Sequence, residues 1–155
     1  MKAIKIPLFL IFFHHSFSHS FNLNLIKAHL LENHLKFCII LSDKSVSTNV
    51  HYLKSIQAEG ISTIVYDISR PGSIESLNFT KIFKYYYRYG VAIDLNMSTN
   101  KTNAIFGKVS ERTLFHNNYF WLMFGSSFDK SYQLLEGENI NVDAEIMLAI
   151  AKDQA

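Results

Sequence analysis

Three aspartates follow short apolar segments of the sequence, in the position where a parallel sheet places its ligands. Asp43, Asp67 and Asp94 each lie at or near the carboxyl end of a segment with the composition of a buried strand. If these strands are neighbours, the three carboxylates could converge on a metal ion or a phosphate group. Aspartate is also common where strands give way to turns, and no glycine-rich phosphate loop accompanies these three. The turn interpretation is therefore favoured over a metal or phosphoryl-transfer site.

The other residue types that carry out catalysis or bind metals lack the spacing that either needs. His29 and His34 are five positions apart, whereas an HExxH site needs its histidines four apart. No Gly-X-Ser-X-Gly elbow is present, so a serine hydrolase is not indicated. Cys38 lies in the apolar run 37–41, which predicts a buried thiol. We therefore expect no enzyme, cofactor or metal site, and we expect the histidines at the surface or at helix ends.

The overall composition favours one globular domain without a nucleic-acid partner. The chain has 155 residues, of which 48% are hydrophobic and 18% charged, enough to bury a real core. Fifteen Lys and Arg against thirteen Asp and Glu leave a net charge of only +2, which implies no polyanionic partner. Residues 84–89 alternate basic and aromatic side chains, a composition that can also bind nucleic acid. We expect instead a half-buried helix there, with Lys84 and Arg88 on one solvated face.

The first residues have the pattern of a secretory signal peptide. Lys2 and Lys5 precede the apolar run 6–13, and small and polar residues follow it. A membrane-spanning helix needs roughly 20 apolar residues, so this run is too short to span. We predict a signal peptide over residues 1–20, cleaved near Ser18 or Ser20, and an extracellular domain over residues 21–155. A strand or a short anchor is the alternative for the apolar run.

Entry into the secretory pathway would make three Asn-X-Ser/Thr sequences candidates for N-glycosylation. They begin at Asn78, Asn96 and Asn100. Because Asn96 and Asn100 are so close, we do not expect both to be modified. Cys38 is the only cysteine, so the chain cannot form an internal disulfide framework.

Beyond the leader, apolar segments alternate with helical patterns. Strands are predicted over residues 36–42, 61–68, 91–95 and 119–124, with a further apolar segment over 140–150. Helices are predicted over 22–34, from Ser45 to a cap at Gly60, around 104–109 and from about Ser126 to Glu136. In the second helix, Val46, Val50, Leu53 and Ile56 recur at helical spacing. This alternation predicts a single α/β domain with an open, mostly parallel sheet and helices on both faces.

Short motifs occur in a distinctive order in the second half of the chain. They lie at residues 90–96, Leu114-Phe115, residues 119–122 and residues 140–145, and include Asp94, Trp121 and Asp143. In order and spacing they resemble the amino-terminal domain of insect ionotropic receptors of the 75a type. The leader, Leu25-Ile26-Lys27 and the strand at 37–42 are compatible with it, so the resemblance covers nearly the whole mature chain. Met97 stands after Asn96, in a segment where that family usually carries a cysteine.

The resemblance implies one lobe of a periplasmic-binding-protein-like domain. In that family the domain is part of a ligand-gated cation channel of chemosensory neurons, related to ionotropic glutamate receptors and tuned in this branch largely to acids. In such receptors the main ligand-binding domain and the pore follow the amino-terminal domain, beyond Ala155. The implied role is therefore receptor assembly or folding at the extracellular face of the plasma membrane, with other receptor subunits or a co-receptor as partners. The alternative is a self-contained secreted protein that binds a small ligand at the strand ends.

Overall fold

Short apolar segments of the sequence become the strands of one parallel sheet, and the amphipathic segments between them become helices. A computed structural model describes residues 8–13, 19–70, 72–78 and 88–151, with side chains described from Leu23 onward. The elements in chain order are β1 Leu8–Phe13, α1 His19–Glu32, β2 Phe37–Ser42, α2 Val46–Gln57, β3 Ser62–Asp67, β4 Tyr89–Asp94, α3 Thr99–Glu111, β5 Tyr119–Gly125, α4 Phe128–Leu135 and β6 Glu145–Ala151.

The strand order is that of a doubly wound sheet. The sheet runs β1-β6-β5-β4-β2-β3, and every neighbouring pair is parallel. From β2 the chain moves outward to β3, returns past β2 to β4, and then continues through β5 to β6. This reversal makes a topological switch point between β2 and β4, where open α/β sheets leave a crevice at their carboxyl edge. The predicted fold class is confirmed, and all five predicted strand segments after the leader lie in the sheet.

Each face of the sheet is covered by its own helices. On one face, α1 and α2 bury Ile26, Leu30 and Ile56 against β2 and β5. On the other face, α3 buries Ile105 and Phe106 in a second cluster around β5 and β6. All seven residues of β5 are buried, as expected for a strand with helices above and below it.

Both ends of α2 are capped as the sequence predicts, but only part of its apolar stripe packs against the sheet. The Ser45 side chain accepts a hydrogen bond from the Thr48 backbone N–H at 3.3 Å, and Gly60 has φ +75° after the helix end, as those residues predict. Ile56 alone of the four spaced apolar residues is fully buried. The side chains that face the sheet are Asn49, Tyr52 and Ile56, while Val46 and Val50 are exposed to 66% and 42%.

Boundaries differ most from the sequence prediction at three places. Strand β6 begins at Glu145, five residues after the predicted start of its segment. Helix α3 begins at Thr99, five residues before the predicted start, because its first turn is polar outside and buries only the small side chain of Thr102. At the amino terminus, β1 pairs in parallel with β6, with Leu8 opposite Ile146, and α1 begins at His19. In the uncleaved chain the apolar run thus contains a strand, which was the alternative to a signal peptide. Cleavage near Ser18 or Ser20 stays a prediction.

The aromatic segment at residues 79–87 lies outside the described residues, and with it most of the predicted half-buried helix. Its described neighbour Arg88 is exposed and holds its guanidinium 4.3 Å from the centre of the Phe120 ring, a cation–π contact. Among the helices that the structure describes, none combines the length and the apolar character that crossing a bilayer requires.

Gly90 lets α1 approach the sheet closely. A Cβ atom at this position of β4 would touch Leu30 Cδ2 and lie 3.3 Å from Leu35 Cδ1, and both leucines are almost completely buried. Because these side chains have little free space, an added methyl group must displace them or the helix.

We expect Gly90→Ala to lower the free energy of unfolding by about 1–3 kcal/mol through this overpacking. Gly107 in α3 is the matched control, because a Cβ there would meet nothing within 4 Å and alanine is the better helix former. Gly107→Ala should leave stability unchanged or raise it. Urea unfolding followed by circular dichroism measures both. An equal effect of the two substitutions would contradict the close approach of α1 to β4.

Candidate functional site

The three predicted aspartates lie at one edge of the sheet but do not form one site. The strands they follow are neighbours in the order β4-β2-β3. Asp67 Oδ1 accepts hydrogen bonds from the Ser69 backbone N–H at 2.9 Å and from its hydroxyl at 2.5 Å, and these bonds hold the pKa of Asp67 below its ordinary value. Asp94 Oδ1 accepts from the Asn96 N–H at 2.9 Å. Both carboxylates therefore organise the turns that follow their strands.

An ion pair closes the crevice at the switch point. Lys44 Nζ lies 2.9 Å from Asp94 Oδ2, joining the end of β2 to the end of β4. Burial lowers the pKa of Lys44, but the hydrogen bond and charge of Asp94 outweigh it and raise the pKa overall. The cavity beside the pair, bordered by Ser42 and Tyr52, measures about 20 Å³, enough for one water molecule. The ion pair therefore joins the two strands, and the crevice has no room for a larger ligand.

A larger cavity of about 570 Å³ opens beyond the ends of β4 and β5. Its polar lining residues are Asn96, Thr99, Asn103, Ser126, Lys130 and Gln133, together with the buried Ser131. Asn96 Oδ1 accepts a hydrogen bond from the Ser126 N–H at 2.9 Å, which ties the loop after β4 to the loop after β5. Gly125 allows α4 to sit close to the sheet, since a Cβ there would touch Ser131 Oγ.

The electrostatics of this cavity favour an anion. Thr99 is the first residue of α3 and α4 begins two residues after Ser126, so both helix amino termini lie at the cavity. Neither Ser98 nor Ser127 makes a side-chain capping bond. The first turn of α3 carries no acidic residue, whereas the first turn of α4 carries Asp129, which does not line the cavity. Among the described lining residues, Lys130 is the one charged side chain. Exposed N–H groups and a lysine suit a carboxylate better than a cation.

No metal site is visible in the part of the chain that the structure describes. It contains no group of three or more His, Cys, Asp or Glu side chains placed to hold a metal ion. The cavity beyond β4 and β5 is lined mainly by hydroxyl and amide groups with one lysine. Such a lining can bind and orient a small molecule through hydrogen bonds.

Comparison with known families decides what kind of domain this is. A family model described as the ionotropic receptor 75a N-terminal domain matches residues 19–155, from the first residue of α1 onward. The chain belongs to this family. No curated protein matches the chain. The resemblance in the motifs is thus confirmed for the receptor domain, and this is a receptor family and not an enzyme family.

Two motif residues of this ionotropic receptor domain, Trp121 and Asp94, stabilise its sheet. Trp121 in β5 is fully buried, and its Nε1–H donates to the Leu114 carbonyl at 3.3 Å. The ring of Phe115 packs on it with centroids 5.0 Å apart. Asp94 holds Lys44, while Asp143 is exposed in the turn before β6. Trp121 and Asp94 therefore support the sheet, while Leu95 and Asn96, at the end of the first motif, line the cavity beyond β4 and β5.

The three glycosylation candidates are all accessible in the folded domain. Asn78, Asn96 and Asn100 are exposed, and Asn96 also lines the cavity beyond β4 and β5. Their modification stays a prediction. Cys38 is buried as predicted, and burial raises the pKa of its thiol to about 12. Met97, at the position where the family usually carries a cysteine, is buried too.

The cavity residues themselves were missed by the sequence analysis, which concentrated on aspartates. The available signal was a pair of short polar sequences at the starts of the helices that follow β4 and β5, Ser98-Thr99 before α3 and Ser126-Ser127 before α4. Serine and threonine after a strand and before a helix mark a helix amino terminus at the ligand-binding edge of the sheet. Lys130 lies in the first turn of α4 and gave no separate signal.

One expectation about histidines is wrong, because His29 is 5% exposed. Its Nε2–H donates to the Phe120 carbonyl at 3.4 Å, and its Nδ1 accepts from the Asn33 amide at 3.4 Å. Burial lowers the pKa of His29, although the bond to Phe120 and the charge of Glu32 act in the opposite direction. A neutral ring with one donor and one acceptor satisfies both contacts, so α1 is docked on β5 through an uncharged histidine.

Acidification should therefore destabilise the domain through His29. Its pKa in the folded chain is below the ordinary histidine value of 6.5, so the unfolded chain takes up the proton first and stability falls as pH drops through 6.5. Urea unfolding at about pH 7.5 and about pH 5 should show this loss. His29→Gln should reduce the pH dependence, whereas His51→Gln, at an exposed position, should preserve it. A full wild-type slope in His29→Gln would contradict the assignment.

Proposed function

We propose that this chain is the extracellular amino-terminal part of an ionotropic chemosensory receptor, a ligand-gated cation channel, and that it serves receptor folding and assembly. The observation that carries the proposal is family membership over residues 19–155. The matched region forms a single α/β lobe around one sheet. Its recognisable motif residues, Trp121 and Asp94, hold that lobe together. Such a domain contributes to a receptor by folding reliably and by presenting surfaces to its neighbours.

The secretory features support an extracellular position. The leader pattern over residues 1–20 predicts entry into the secretory pathway. Asn78, Asn96 and Asn100 are exposed, as acceptors of N-linked glycans should be. We propose that the domain reaches the cell surface as part of the full-length receptor, in the company of other receptor subunits or a co-receptor.

Disrupting the core of the domain in the full-length receptor tests this role. Trp121→Ala should cost about 3–5 kcal/mol of stability, and the amount of receptor at the surface of transfected insect cells should fall severalfold. The agonist concentration for half-maximal current through the remaining channels should stay the same. Val142→Ala, at a position 75% exposed, is the matched control and should have no effect. Surface biotinylation and whole-cell recording measure the two quantities.

The opposite pattern would overturn the assembly role. Normal surface delivery of the Trp121→Ala receptor with a shifted agonist response would assign the domain to ligand detection.

The receptor isolated from the cell surface also tests secretion. Its mature amino terminus should lie near residue 19 or 21, and an amidase that removes N-linked glycans should increase its electrophoretic mobility. An intact Met1 and an unchanged mobility would count against the extracellular position.

A second function, binding of a small acidic ligand, is favoured by the cavity beyond β4 and β5. Its volume of about 570 Å³ is in the range of small-molecule sites. Two helix amino termini and Lys130 give it the polarity that attracts a carboxylate, while Leu95 and Leu134 offer apolar contact. The same cavity would serve a secreted protein that binds a ligand on its own.

Titration of the ¹⁵N-labelled 155-residue chain with butyrate tests this second function. We expect shifts of the amide signals of Thr99, Ser126 and Lys130, and Lys130→Glu should weaken binding about tenfold or more, equivalent to about 1.4 kcal/mol. Lys36→Glu changes an exposed lysine before β2, at the opposite edge of the sheet and outside the cavity lining, and should bind normally. Equal shifts with butylamine, or none at tens of millimolar butyrate, would exclude an anion site.

A further inference from the structure

One of the three N-glycosylation sequences lies in the wall of the cavity beyond β4 and β5. Asn96-Met97-Ser98 follows the end of β4 at Asp94, and the exposed Asn96 is one of the residues that line the cavity. Met97 is buried and anchors the loop in the core, whereas Ser98 is exposed and its side chain makes no capping bond to α3. The acceptor amide and the hydroxyl two residues later are therefore both accessible in the folded loop.

The neighbouring sequence, Asn100-Lys101-Thr102, lies inside helix α3. Side chains two positions apart on a helix do not face each other. Asn100 is accordingly exposed, while Thr102 is fully buried and its hydroxyl donates to the Ser98 carbonyl at 3.4 Å. The Thr102 hydroxyl is out of reach once α3 has formed. Asn96 also precedes Asn100 in the order of synthesis, so Asn96 is the favoured acceptor of these two.

The side-chain amide of Asn96 keeps its place in the loop when it carries a glycan. Its Oδ1 accepts a hydrogen bond from the Ser126 N–H at 2.9 Å, while N-linked transfer takes place at Nδ2. In that step Nδ2 bonds to C1 of the first sugar, and the bond from C1 to a lipid-linked diphosphate breaks. The diphosphate leaves with the bonding electrons, and Nδ2 loses one proton. Oδ1 takes no part, so the tie between the loops after β4 and β5 is retained.

A glycan at this position shares the cavity with any bound ligand. Asn96 and Lys130 line the same space of about 570 Å³, and the bond to Ser126 fixes the Asn96 amide at its wall. An N-linked glycan is bulky and well hydrated, and it starts from that wall. A carboxylate that approaches Lys130 must therefore compete with the sugar for the same space.

We propose that Asn96 is the N-glycan acceptor of this loop and that its glycan closes the cavity to small anions. The proposal rests on the proposed entry into the secretory pathway and on anion binding as the second function, and it names the modification that regulates that function. Copies of the receptor that carry the glycan keep the folding and assembly role. Copies without it also present an open cavity.

Mapping of the modified asparagine tests the acceptor. The 155-residue chain is secreted from insect cells and digested with trypsin. An amidase in water enriched in ¹⁸O then converts each glycan-bearing asparagine to labelled aspartate. Residues 89–101 form one tryptic peptide that contains both Asn96 and Asn100, and tandem mass spectrometry locates the label. We expect it on Asn96, whereas label on Asn100 alone, or on neither residue of the secreted chain, overturns the assignment.

Two substitutions control the mapping. Ser98→Ala removes the glycosylation sequence but keeps the Asn96 side chain, so the label at Asn96 should disappear. Asn100→Gln is the matched control, because it changes an exposed residue of the neighbouring sequence and should leave the label at Asn96. Label that persists in Ser98→Ala would come from spontaneous deamidation and would contradict a glycan.

Butyrate binding tests the closure of the cavity. Asn100→Gln from insect cells, with its glycan at Asn96, is compared with Ser98→Ala/Asn100→Gln, which has no glycosylation sequence in this loop. Saturation-transfer NMR of the butyrate signals follows the titration. The glycosylated chain should bind at least about tenfold more weakly, equivalent to about 1.4 kcal/mol. The same two variants made without glycans in bacteria should bind alike, since Ser98 does not line the cavity. Equal affinities of the insect-cell proteins overturn the closure.

Failure of this proposal is distinguishable from failure of the functions on which it rests. Unmodified chain that binds no butyrate overturns the second function and the closure with it, whatever the label at Asn96 shows. Butyrate binding by both the unmodified and the glycosylated chain overturns the closure alone. Receptor at the cell surface that keeps Met1 and carries no glycan overturns the extracellular position and the acceptor together.

Discussion

The burial of β5 on both of its faces is the constraint on which the rest of the structure depends. Its seven residues are all buried, and the side chains of Trp121 and Met123 point into one core while those of Phe120 and Leu122 point into the other. A strand of this kind is stable only with a neighbour on each edge and a helix layer on each face. Strands β4 and β6 supply the edges, and α1 and α3 belong to the two layers.

The same constraint places the open cavity at one edge of the domain. Because all the strands run in one direction, their carboxyl ends and the helices that follow them meet at one edge. At the switch point the Lys44–Asp94 pair spans the crevice, and the larger open space lies at the ends of β4 and β5. There the hydrogen bond between Asn96 and Ser126 fixes two loops around the cavity. The cavity thus lies where the shared strand direction of a doubly wound sheet brings the loops after β4 and β5 together.

The sequence predicted the elements whose signal is local and failed where the outcome depends on packing. Continuous apolar runs gave the strands, and Ser45 and Gly60 gave the ends of α2, because caps and buried strands need particular residues in place. His29 was assigned to the surface since no local signal records that α1 approaches β5 through it. The exposure of Val46 was equally hidden, because helical spacing defines a stripe without saying whether the sheet or another molecule covers it.

The cavity and the α2 stripe use different parts of this plan, and that separation has a physical origin. The cavity depends on the carboxyl ends of β4 and β5, whereas the stripe lies at the lateral edge formed by β3. Strand β2 lies between them. It pairs with β4 over five residues and is also joined to it by the Lys44–Asp94 ion pair. The open cavity at the strand ends and the exposed apolar residues of α2 are therefore separated by the width of β2.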